Sequence, residues 1–504
     1  MQRNIPSILP AIIGVLACIQ QINCAPNAFL TPHPPGGQSS ASAAPAKQPD
    51  REQPPAAESA SSEQSPAPAT GPSSSAPADS VAAAQTRSPQ SQSTPADSQK
   101  TIAPATFAWS GATALFAVPT QTVRVALLRG LASVSLYSSG TMIVGCEGKG
   151  NGFSFKGPLQ LTLKRGASTL QGFISQMESR EISMPCTLKA VADDNIIEVG
   201  DKSYRGNLII AAEENNSFSV INRLPMEEYL CGAISLEIGK LPEKELEAVK
   251  AQAVAARSYA YKKITNKAAG LFDVVATTDD QVYGGVNAEC AVCTRAVRET
   301  KDLVLVFGDS LISAYYHSTC GGRTANIEDV WDKPAAPYLK GADDYDRNGK
   351  AYCSSSRFFA WQESWSAPEL SAIMREYSKP AFPATPLTGE INGVRVFSRY
   401  SCGRIQFCDF ATTTGKFTYG TDKIRFAMRR NTRERDVLRS ANFTVISADT
   451  RNVKITGKGY GHGVGMCQMG AVGRAREGQK YRDILAVYYA GTEIKQAKVD
   501  EAPH

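Results

Sequence analysis

A long segment near the N-terminus cannot contribute to a packed core. Residues 25–98 consist largely of Pro, Ala, Ser and Gln, with hardly a large apolar side chain among them. Such a composition buries too little apolar surface to offset chain entropy, so we expect a disordered linker at residues 25–100. The folded domain is predicted at residues 101–497, and with 42% hydrophobic residues in the 504-residue chain it can build a sizeable core.

The first 24 residues have the pattern of an export signal. Arg3 supplies a basic start, and residues 5–17 form an apolar stretch too short to span a bilayer. Residues 15–18 resemble a bacterial lipobox, in which cleavage before Cys18 is followed by lipidation of that cysteine. The alternative is ordinary cleavage a few positions later. Either cut predicts an exported, periplasmic or envelope protein, and a lipidated Cys18 would tether the domain to a membrane through a linker with a reach of roughly 50 Å.

The charge and the cysteines narrow the choice of partners and ligands. The net charge of +6 suits an acidic or polymeric partner, but no Lys/Arg stripe with interleaved aromatic residues predicts nucleic acid. Ten of the twelve cysteines fall in the folded part, where export permits disulfides, and two candidate pairs are Cys402 with Cys408 and Cys146 with Cys186. Zinc-ligand types also occur at Cys290, Cys293, His317 and Cys320. We expect no metal and no cofactor, because these residues lie on dissimilar local patterns without a second tight Cys-x-x-Cys.

The periodicity of apolar residues predicts an α+β fold. Short alternating runs, the clearest at Val123–Leu127, Leu159–Leu163 and Asn207–Ile210, predict a mainly β N-terminal part. Between residues 245 and 263 the period becomes three and four residues, which predicts a central amphipathic helix with an alanine-rich face and Pro242 in its first turn. The C-terminal part is mixed: strand-like runs at 303–307, 311–316 and 389–410, a last helix at 482–489, and an insertion between residues 343 and 450.

One acidic residue stands in apolar surroundings. Glu237 lies between Leu236 and Ile238 and follows an apolar approach. Burial disfavours the charged form of a carboxyl group and raises its pKa, as a general acid near neutral pH requires. Taken alone, such a residue is more often a half-buried surface acid.

Four further clusters contain residues suited to binding. Lys250 and Arg257 lie two helical turns apart on one side of the predicted helix, where they can orient a substrate or form a solvated basic face. Residues 277–285 and 315–324 place aromatic rings beside hydroxyls, amides and glycines, the components of a sugar-binding groove, although turns use the same residues. Five glycines within residues 457–468 predict a shaped loop that presents His462 and Gln468.

Together and in this order, the clusters resemble the stage II sporulation protein D family and its amidase-enhancer relatives. The resemblance extends from about residue 123 to 494. It rests on Glu228-Tyr-Leu-x-Gly232 followed by Glu237, Lys250 to Arg257, Gln281-Val-Tyr283, Ser318 to Thr324, and Gly461 to Gln468. It implies a peptidoglycan lytic transglycosylase with Glu237 as the catalytic acid. The substrate-binding positions that it implies are Lys250, Arg257, Gln281, Tyr283, Ser318, Thr319, His462 and Gln468.

The resemblance also implies a mechanism and a setting. Glu237 would protonate the glycosidic oxygen between N-acetylmuramic acid and N-acetylglucosamine in glycan strands stripped of peptide stems. As a carboxylate it would then deprotonate the muramic O6 hydroxyl, which closes a 1,6-anhydro ring. One carboxyl group would act twice, without the second one that most glycosidases need. The expected setting is envelope remodelling or septal division, with an N-acetylmuramoyl-L-alanine amidase as a further partner.

The chain departs from the family pattern at two places. Some relatives bind zinc through His and Cys just before Gln-x-Tyr, where this chain has Asp279 and Asp280, so we expect that site to be absent. Cys320 and Cys467 stand where many relatives have Ser. This leaves open a Cys/His peptidase that uses either cysteine with His317 or His462. The other alternative is a non-catalytic glycan binder that enhances an amidase.

Overall fold

The computed structural model describes residues 115–499, apart from residues 147–148, 167–168, 174–178, 192–195 and 267–269. The predicted export signal with Cys18 and the predicted linker at residues 25–100 lie outside the described residues. None of the described helices combines the length and the apolar character that crossing a membrane requires.

The N-terminal part consists of β-strands, and in several of them buried side chains alternate with more exposed ones. This pattern arises because successive side chains of a strand point to opposite faces of its sheet. The strands are β1 (Leu115–Val118), β2 (Thr122–Leu131), β3 (Ser133–Ser138), β4 (Thr141–Cys146), β5 (Lys149–Phe155), β6 (Leu159–Arg165), β7 (Thr169–Phe173), β8 (Ser179–Ser183), β9 (Cys186–Val191), β10 (Ile197–Val199), β11 (Lys202–Tyr204), β12 (Asn207–Glu213) and β13 (Ser217–Pro225).

The middle part introduces the helices. Its elements are α1 (Met226–Cys231), α2 (Ile234–Glu237), α3 (Leu246–Asn266), β14 (Val274–Val275), α4 (Ala291–Glu299), β15 (Leu303–Phe307), β16 (Ser310–Leu311), β17 (Tyr316–His317) and α5 (Ile327–Val330). Strand β14 joins the edge of a seven-stranded sheet in the order β14-β2-β13-β12-β9-β4-β5, and a six-stranded sheet has the order β11-β10-β3-β6-β7-β8. The apolar faces of both sheets belong to one hydrophobic core that also includes α3.

The C-terminal part returns to this main core after a segment with a core of its own. Its elements are β18 (Ala360–Ser366), α6 (Ala367–Ala381), β19 (Ile391–Arg399), β20 (Ile405–Thr412), β21 (Gly415–Tyr419), α7 (Ile424–Ala427), β22 (Phe443–Ala448), β23 (Asn452–Lys458), β24 (Met466–Cys467), α8 (Gln468–Arg476), α9 (Tyr481–Tyr488) and β25 (Glu493–Val499). Residues 360–458, here called the inserted segment, pack around Trp365, Phe410 and Phe443. On either side of this segment, β17 and β24 pair in parallel.

Helix α3 is rich in alanine because other elements contact it on most of its circumference. Between Leu246 and Tyr261 only Glu247 and Lys250 are not buried. The small side chains let α4, α8, α9 and β15 approach the helix closely. The helix is therefore central as predicted, but nearly all of its surface is buried rather than one face. Pro242 precedes a short 3-10 turn at Glu243–Glu245, so it lies before the helix rather than in its first turn.

Other sequence predictions were met to different degrees. The α+β class is confirmed, as are the strand at 303–307 and a last helix, which begins at Tyr481. The strand-like run at 311–316 forms only the two short strands β16 and β17.

Cys402 and Cys408 are separate buried thiols, so that predicted disulfide is wrong, whereas Cys146 lies opposite Cys186 in the β4–β9 register. Cys290 and Cys293 form a disulfide, which removes both from the set considered for zinc.

A buried ion pair ties α3 to α1 and β15. The Arg257 side chain is fully buried, and its Nε and Nη2 donate to the two carboxylate oxygens of Glu227 at 2.8 and 2.6 Å. Its Nη1 donates to the backbone carbonyl of Leu303 at 3.1 Å. The guanidinium group is thus matched by a bidentate carboxylate and one carbonyl, the geometry that makes a buried arginine tolerable.

We expect Arg257→Ala to lower the free energy of unfolding by about 3 kcal/mol, because breaking a buried pair leaves the other charge uncompensated. Chemical denaturation monitored by circular dichroism measures this change. Lys244→Ala removes a positive charge at an exposed site just before the same helix and should change stability by less than about 0.5 kcal/mol. Equal losses in the two variants would contradict a structural role for the Arg257 pair.

Candidate active site

Glu237 is the last residue of α2 and is almost completely enclosed. Only 4% of its surface is exposed, and its Oε1 accepts a hydrogen bond of 2.8 Å from the backbone N–H of Val282. Tyr229 of α1 lies close enough that burial and the charge of Glu237 raise the pKa of its phenol well above the usual value. The hydroxyl of Tyr229 therefore stays protonated and acts as a hydrogen-bond donor. The predicted acid is thus held between α2 and the segment that carries Gln281 and Tyr283.

Gln281 connects three elements around this acid. Its Oε1 accepts from the Tyr229 hydroxyl at 2.9 Å, and its Nε2 donates to the Tyr316 hydroxyl at 2.8 Å and to the Ala256 carbonyl at 3.3 Å. The hydroxyl of Tyr283, also buried, donates to Asn222 Oδ1 at 2.9 Å. The structure places both predicted binding residues in the interior, where they fix the backbone that donates to Glu237.

The glycine-rich loop holds its histidine inside the protein. His462 is 3% exposed; its Nδ1 accepts from the Val464 N–H at 3.1 Å, and its Nε2 donates to the Tyr316 carbonyl at 3.0 Å. Burial lowers the pKa of His462 well below its usual value, so the ring is neutral, in agreement with one donor and one acceptor nitrogen. His462 therefore fastens the loop to β17 and is not displayed to solvent as the sequence suggested.

Glycine is required at Gly465 for two separate reasons. Its φ of +69° lies in the left-handed region, and a Cβ atom there would overlap the carbonyl oxygen of Tyr315. That same carbonyl accepts the N–H of Met466 at 3.1 Å, next to the point where β24 pairs with β17. A side chain at this position would force apart the two short strands.

The remaining predicted binding residues flank the β17–β24 pair. Ser318 is half-buried, while Thr319 is buried and its hydroxyl bonds those of Ser318 and Ser356 at 3.2 and 2.8 Å. Gln468, the first residue of α8, is buried and its Nε2 donates to Gln252 Oε1 of α3 at 3.3 Å. Of these three positions Ser318 has the most accessible surface.

Contacts link the predicted clusters to one another, except for the two basic residues Lys250 and Arg257. Val282 donates to Glu237, the adjacent Gln281 bonds Tyr316, and Tyr316 accepts from His462. Lys250 instead pairs with the carboxylates of Glu247 and Glu299 at 2.9 and 2.6 Å. With Arg257 bound to Glu227, the charged groups of Lys250 and Arg257 are both engaged by carboxylates of α1, α3 and α4.

A polar cleft opens between residues 321–345 and the inserted segment. It has a volume of about 490 Å³. One wall includes Gly321, Arg323 and Asp343, and the other includes Arg399, Asn442 and Lys458. Glu237 does not line this cleft. Sequence reasoning missed Arg399 and Asn442 because they belong to the inserted segment, which carries none of the recognised clusters.

Comparison of the sequence with known proteins identifies the family of the chain. The profile described as Stage II sporulation protein matches residues 214–307, and one described as Domain of unknown function (DUF8618) matches residues 346–465. The Stage II sporulation protein D of Bacillus subtilis is 30% identical over 294 residues, which make up 55% of this chain and 76% of that protein. The chain belongs to the stage II sporulation protein D family.

Two other relatives extend this comparison. A protein of Brachyspira hyodysenteriae that carries the name "Uncharacterized protein" is 33% identical over 58% of this chain and 72% of its own length. The Amidase enhancer of Bacillus subtilis is 28% identical over 49% of this chain, but the match spans only 38% of that longer protein. The match of the stage II sporulation profile includes Glu237, Gln281 and Tyr283, whereas the second profile covers the inserted segment.

This member of the family also has a group of buried thiols. Burial raises the pKa of Cys320 and Cys467 well above the usual value. Within the described residues neither histidine of the proposed thiol alternatives bonds a sulfur: His317 Nδ1 contacts the Val464 carbonyl at 3.2 Å, and both nitrogens of His462 contact backbone. The described geometry therefore contains no Cys/His pair of the kind that activates a nucleophile.

We expect Gly465→Ala to lower the free energy of unfolding by about 2–5 kcal/mol, the sum of left-handed strain and forced overpacking. Gly478→Ala is the matched control, because Gly478 has a φ of +83° but no atom within 4 Å of a Cβ position. It should cost only the strain, about 1–2 kcal/mol. Thermal and chemical denaturation compare the two variants, and equal losses would argue against the close contact with Tyr315.

Proposed function

We propose that the chain is a peptidoglycan lytic transglycosylase. It cleaves the bond between N-acetylmuramic acid and N-acetylglucosamine in glycan strands without peptide stems, and it forms 1,6-anhydro-N-acetylmuramic acid. Family membership and the names of the relatives support the broader role, which is connected with the bacterial cell wall. The finer proposal rests on one observation: the enclosed carboxyl group of Glu237, fixed by a backbone N–H.

The proposed reaction assigns the proton transfer to Glu237 rather than to the other buried acid of this network. Asp280, the neighbouring acid, is engaged on both oxygens: Oδ1 accepts from Tyr259 at 3.1 Å and from Lys263 at 2.8 Å, and Oδ2 accepts from the Val275 N–H at 3.0 Å. Those contacts bind Asp280 to α3 and β14 and give it a structural role. The Val282 N–H donates to Oε1 of Glu237, and this hydrogen bond stabilises the carboxylate that forms in the proposed reaction.

The reaction uses this carboxyl group twice. In the first step Glu237 donates its proton to the glycosidic oxygen, and the bond from that oxygen to C1 of muramic acid breaks. In the second step the Glu237 carboxylate takes the proton of the muramic O6 hydroxyl, and O6 bonds to C1. No water is consumed and the acid is regenerated, so a single enclosed carboxyl group is sufficient.

The second candidate function is a glycan binder that enhances an amidase. The cleft between the main core and the inserted segment favours it, because Arg399 and Lys458 offer positive charge to acidic groups of a glycan. Arg323 in the same cleft is paired with Asp343, and Glu237 does not line the cleft. The relative named Amidase enhancer fits the same function. On this alternative the chain would bind strands without cutting them, and its partner would be an N-acetylmuramoyl-L-alanine amidase.

Glu237→Gln should lower the rate of glycan cleavage by about 10²–10⁴, because it removes the exchangeable proton and keeps the size of the side chain. The substrate is sacculi stripped of peptide stems by an amidase, and mass spectrometry measures anhydro-muramic products. Glu228→Gln, at a half-buried position in α1, is the control and should cleave at the wild-type rate. Co-sedimentation with the stripped sacculi should show equal binding by all three proteins.

The cleavage and co-sedimentation assays together distinguish the transglycosylase from the glycan binder. Wild-type protein that sediments with stripped sacculi but generates no anhydro ends is a binder, and stimulation of an added amidase would then be measured. Full cleavage activity in Glu237→Gln would show that Glu237 is not the catalytic acid.

We also propose that the protein is exported and anchored to a membrane through Cys18. Cys18→Ala should move the protein from the membrane fraction to the soluble fraction of lysed cells, because the lipid attachment point is lost. Cys24→Ala changes the other cysteine of the signal region and should leave the protein in the membrane fraction. Fractionation with immunoblotting measures both, and a soluble wild-type protein would contradict the anchor.

A further inference from the structure

Four potential metal ligands converge where β17 and β24 end. Cys320 follows β17, Cys467 ends β24, and Asp344 and Cys353 come from the chain just before the inserted segment. All four residues are buried, and one ligand atom of each lies within 4.8 Å of those of the other three. The proposed glycan chemistry uses none of these groups.

The spacing of the ligand atoms suits a tetrahedral ion. Zinc bonds of about 2.3 Å to sulfur and about 2.0–2.2 Å to oxygen separate neighbouring ligands by about 3.5–3.8 Å. Here Cys320 Sγ lies 3.5 Å from Cys353 Sγ and 3.3 Å from Asp344 Oδ2. The two sulfurs are much farther apart than the roughly 2.05 Å of a disulfide.

The aspartate is held in the orientation of a ligand. Its Oδ1 accepts from Arg474 Nε and Nη2 at 3.1 and 3.0 Å and from the Tyr488 hydroxyl at 2.8 Å. This leaves Oδ2 as the oxygen directed at the sulfurs. Residues that bind the far side of a ligand in this way fix its direction in metal sites, and the positive charge of Arg474 offsets part of the negative charge of the group.

Backbone N–H groups point at two of the sulfurs. Cys320 Sγ accepts from Gly322 at 3.3 Å, and Cys467 Sγ accepts from Cys320 at 3.1 Å and from Gly470 at 3.2 Å. Such donors favour thiolates, the form in which cysteine binds metal. Gly470 makes this possible, because a Cβ there would overlap Asp344 and Tyr488.

We propose that Cys320, Cys353, Cys467 and Asp344 bind one zinc ion in a closed structural site. Three thiolates select a soft or borderline ion such as Zn²⁺ over Mg²⁺ or Ca²⁺, and four protein ligands leave no position for substrate. The ion would join the chain on both sides of the inserted segment to β17. It would also hold Thr319 and Gln468, which are adjacent in sequence to two of the ligands. This differs from the expectation of no metal in the chain.

The first test measures metal in the full chain, purified from the envelope of its native host without chelators. Elemental analysis should find about one zinc per chain in wild type. Cys353→Ser should lose most of this zinc, whereas Cys408→Ser, which changes a buried thiol of the inserted segment, should keep it. The proposal is wrong if wild type holds no zinc even after incubation with ZnCl₂ under reducing conditions, or if Cys353→Ser binds zinc as tightly as wild type.

A second measurement keeps the test decisive if Cys353→Ser does not fold. Wild type loaded with Co²⁺ should show the thiolate charge-transfer absorption and the strong visible bands of a tetrahedral cobalt–sulfur site. Tyr488→Phe removes only the hydroxyl that orients Asp344, and we expect zinc affinity to fall about 10–100-fold. A disulfide between any two of Cys320, Cys353 and Cys467 in the native protein, found by peptide mass spectrometry, would overturn the site.

Discussion

The parallel pairing of β17 with β24 is the contact on which the candidate site depends. It consists of only two residue pairs, Tyr316 with Met466 and His317 with Cys467, from chain segments far apart in sequence. So short a ladder cannot persist by its own hydrogen bonds, because the entropy of closing the intervening chain opposes it. The surrounding contacts supply the rest: His462 bonds the Tyr316 carbonyl, and the buried Tyr489 hydroxyl bonds the Tyr315 carbonyl at 2.7 Å.

This pairing reaches Glu237 through buried polar groups. The Tyr316 hydroxyl holds Gln281, and Gln281 fixes the backbone from which Val282 donates to the carboxyl group. A buried hydrogen-bond network stabilises the fold only when all of its members are bonded. The loss of one partner therefore leaves the next group unsatisfied and changes its position. It follows that Gln281 and Tyr316 position Glu237 from the interior of the protein, and that the glycine-rich loop affects Glu237 from a distance.

Local pattern predicted the elements well and the placement of polar side chains poorly. Alternation and three-to-four periodicity report which residues of one element share a face, so the strands at 123–127 and 207–210 and helix α3 could be found. Gln281 and His462 have partners 35 and 146 residues away, which no local pattern reveals. Their polar types suggested an open groove, but distant partners satisfy them inside the protein. No sequence pattern marked Asp344 and Cys353 as possible ligands, because only the fold brings them next to Cys320 and Cys467.

The role of Cys467 in local structure does not explain why a cysteine, rather than a serine, is found at this position. Cys467 caps α8 by accepting the N–H of Gly470. Serine does the same with a stronger acceptor and is among the preferred capping residues, so capping gives no reason for cysteine. Burial without a partner ion also raises the cost of the thiolate that the backbone N–H groups favour. A shared cation would remove this conflict at Cys320 and Cys467, and it would link the end of the short β17–β24 ladder to the chain that leads into the inserted segment.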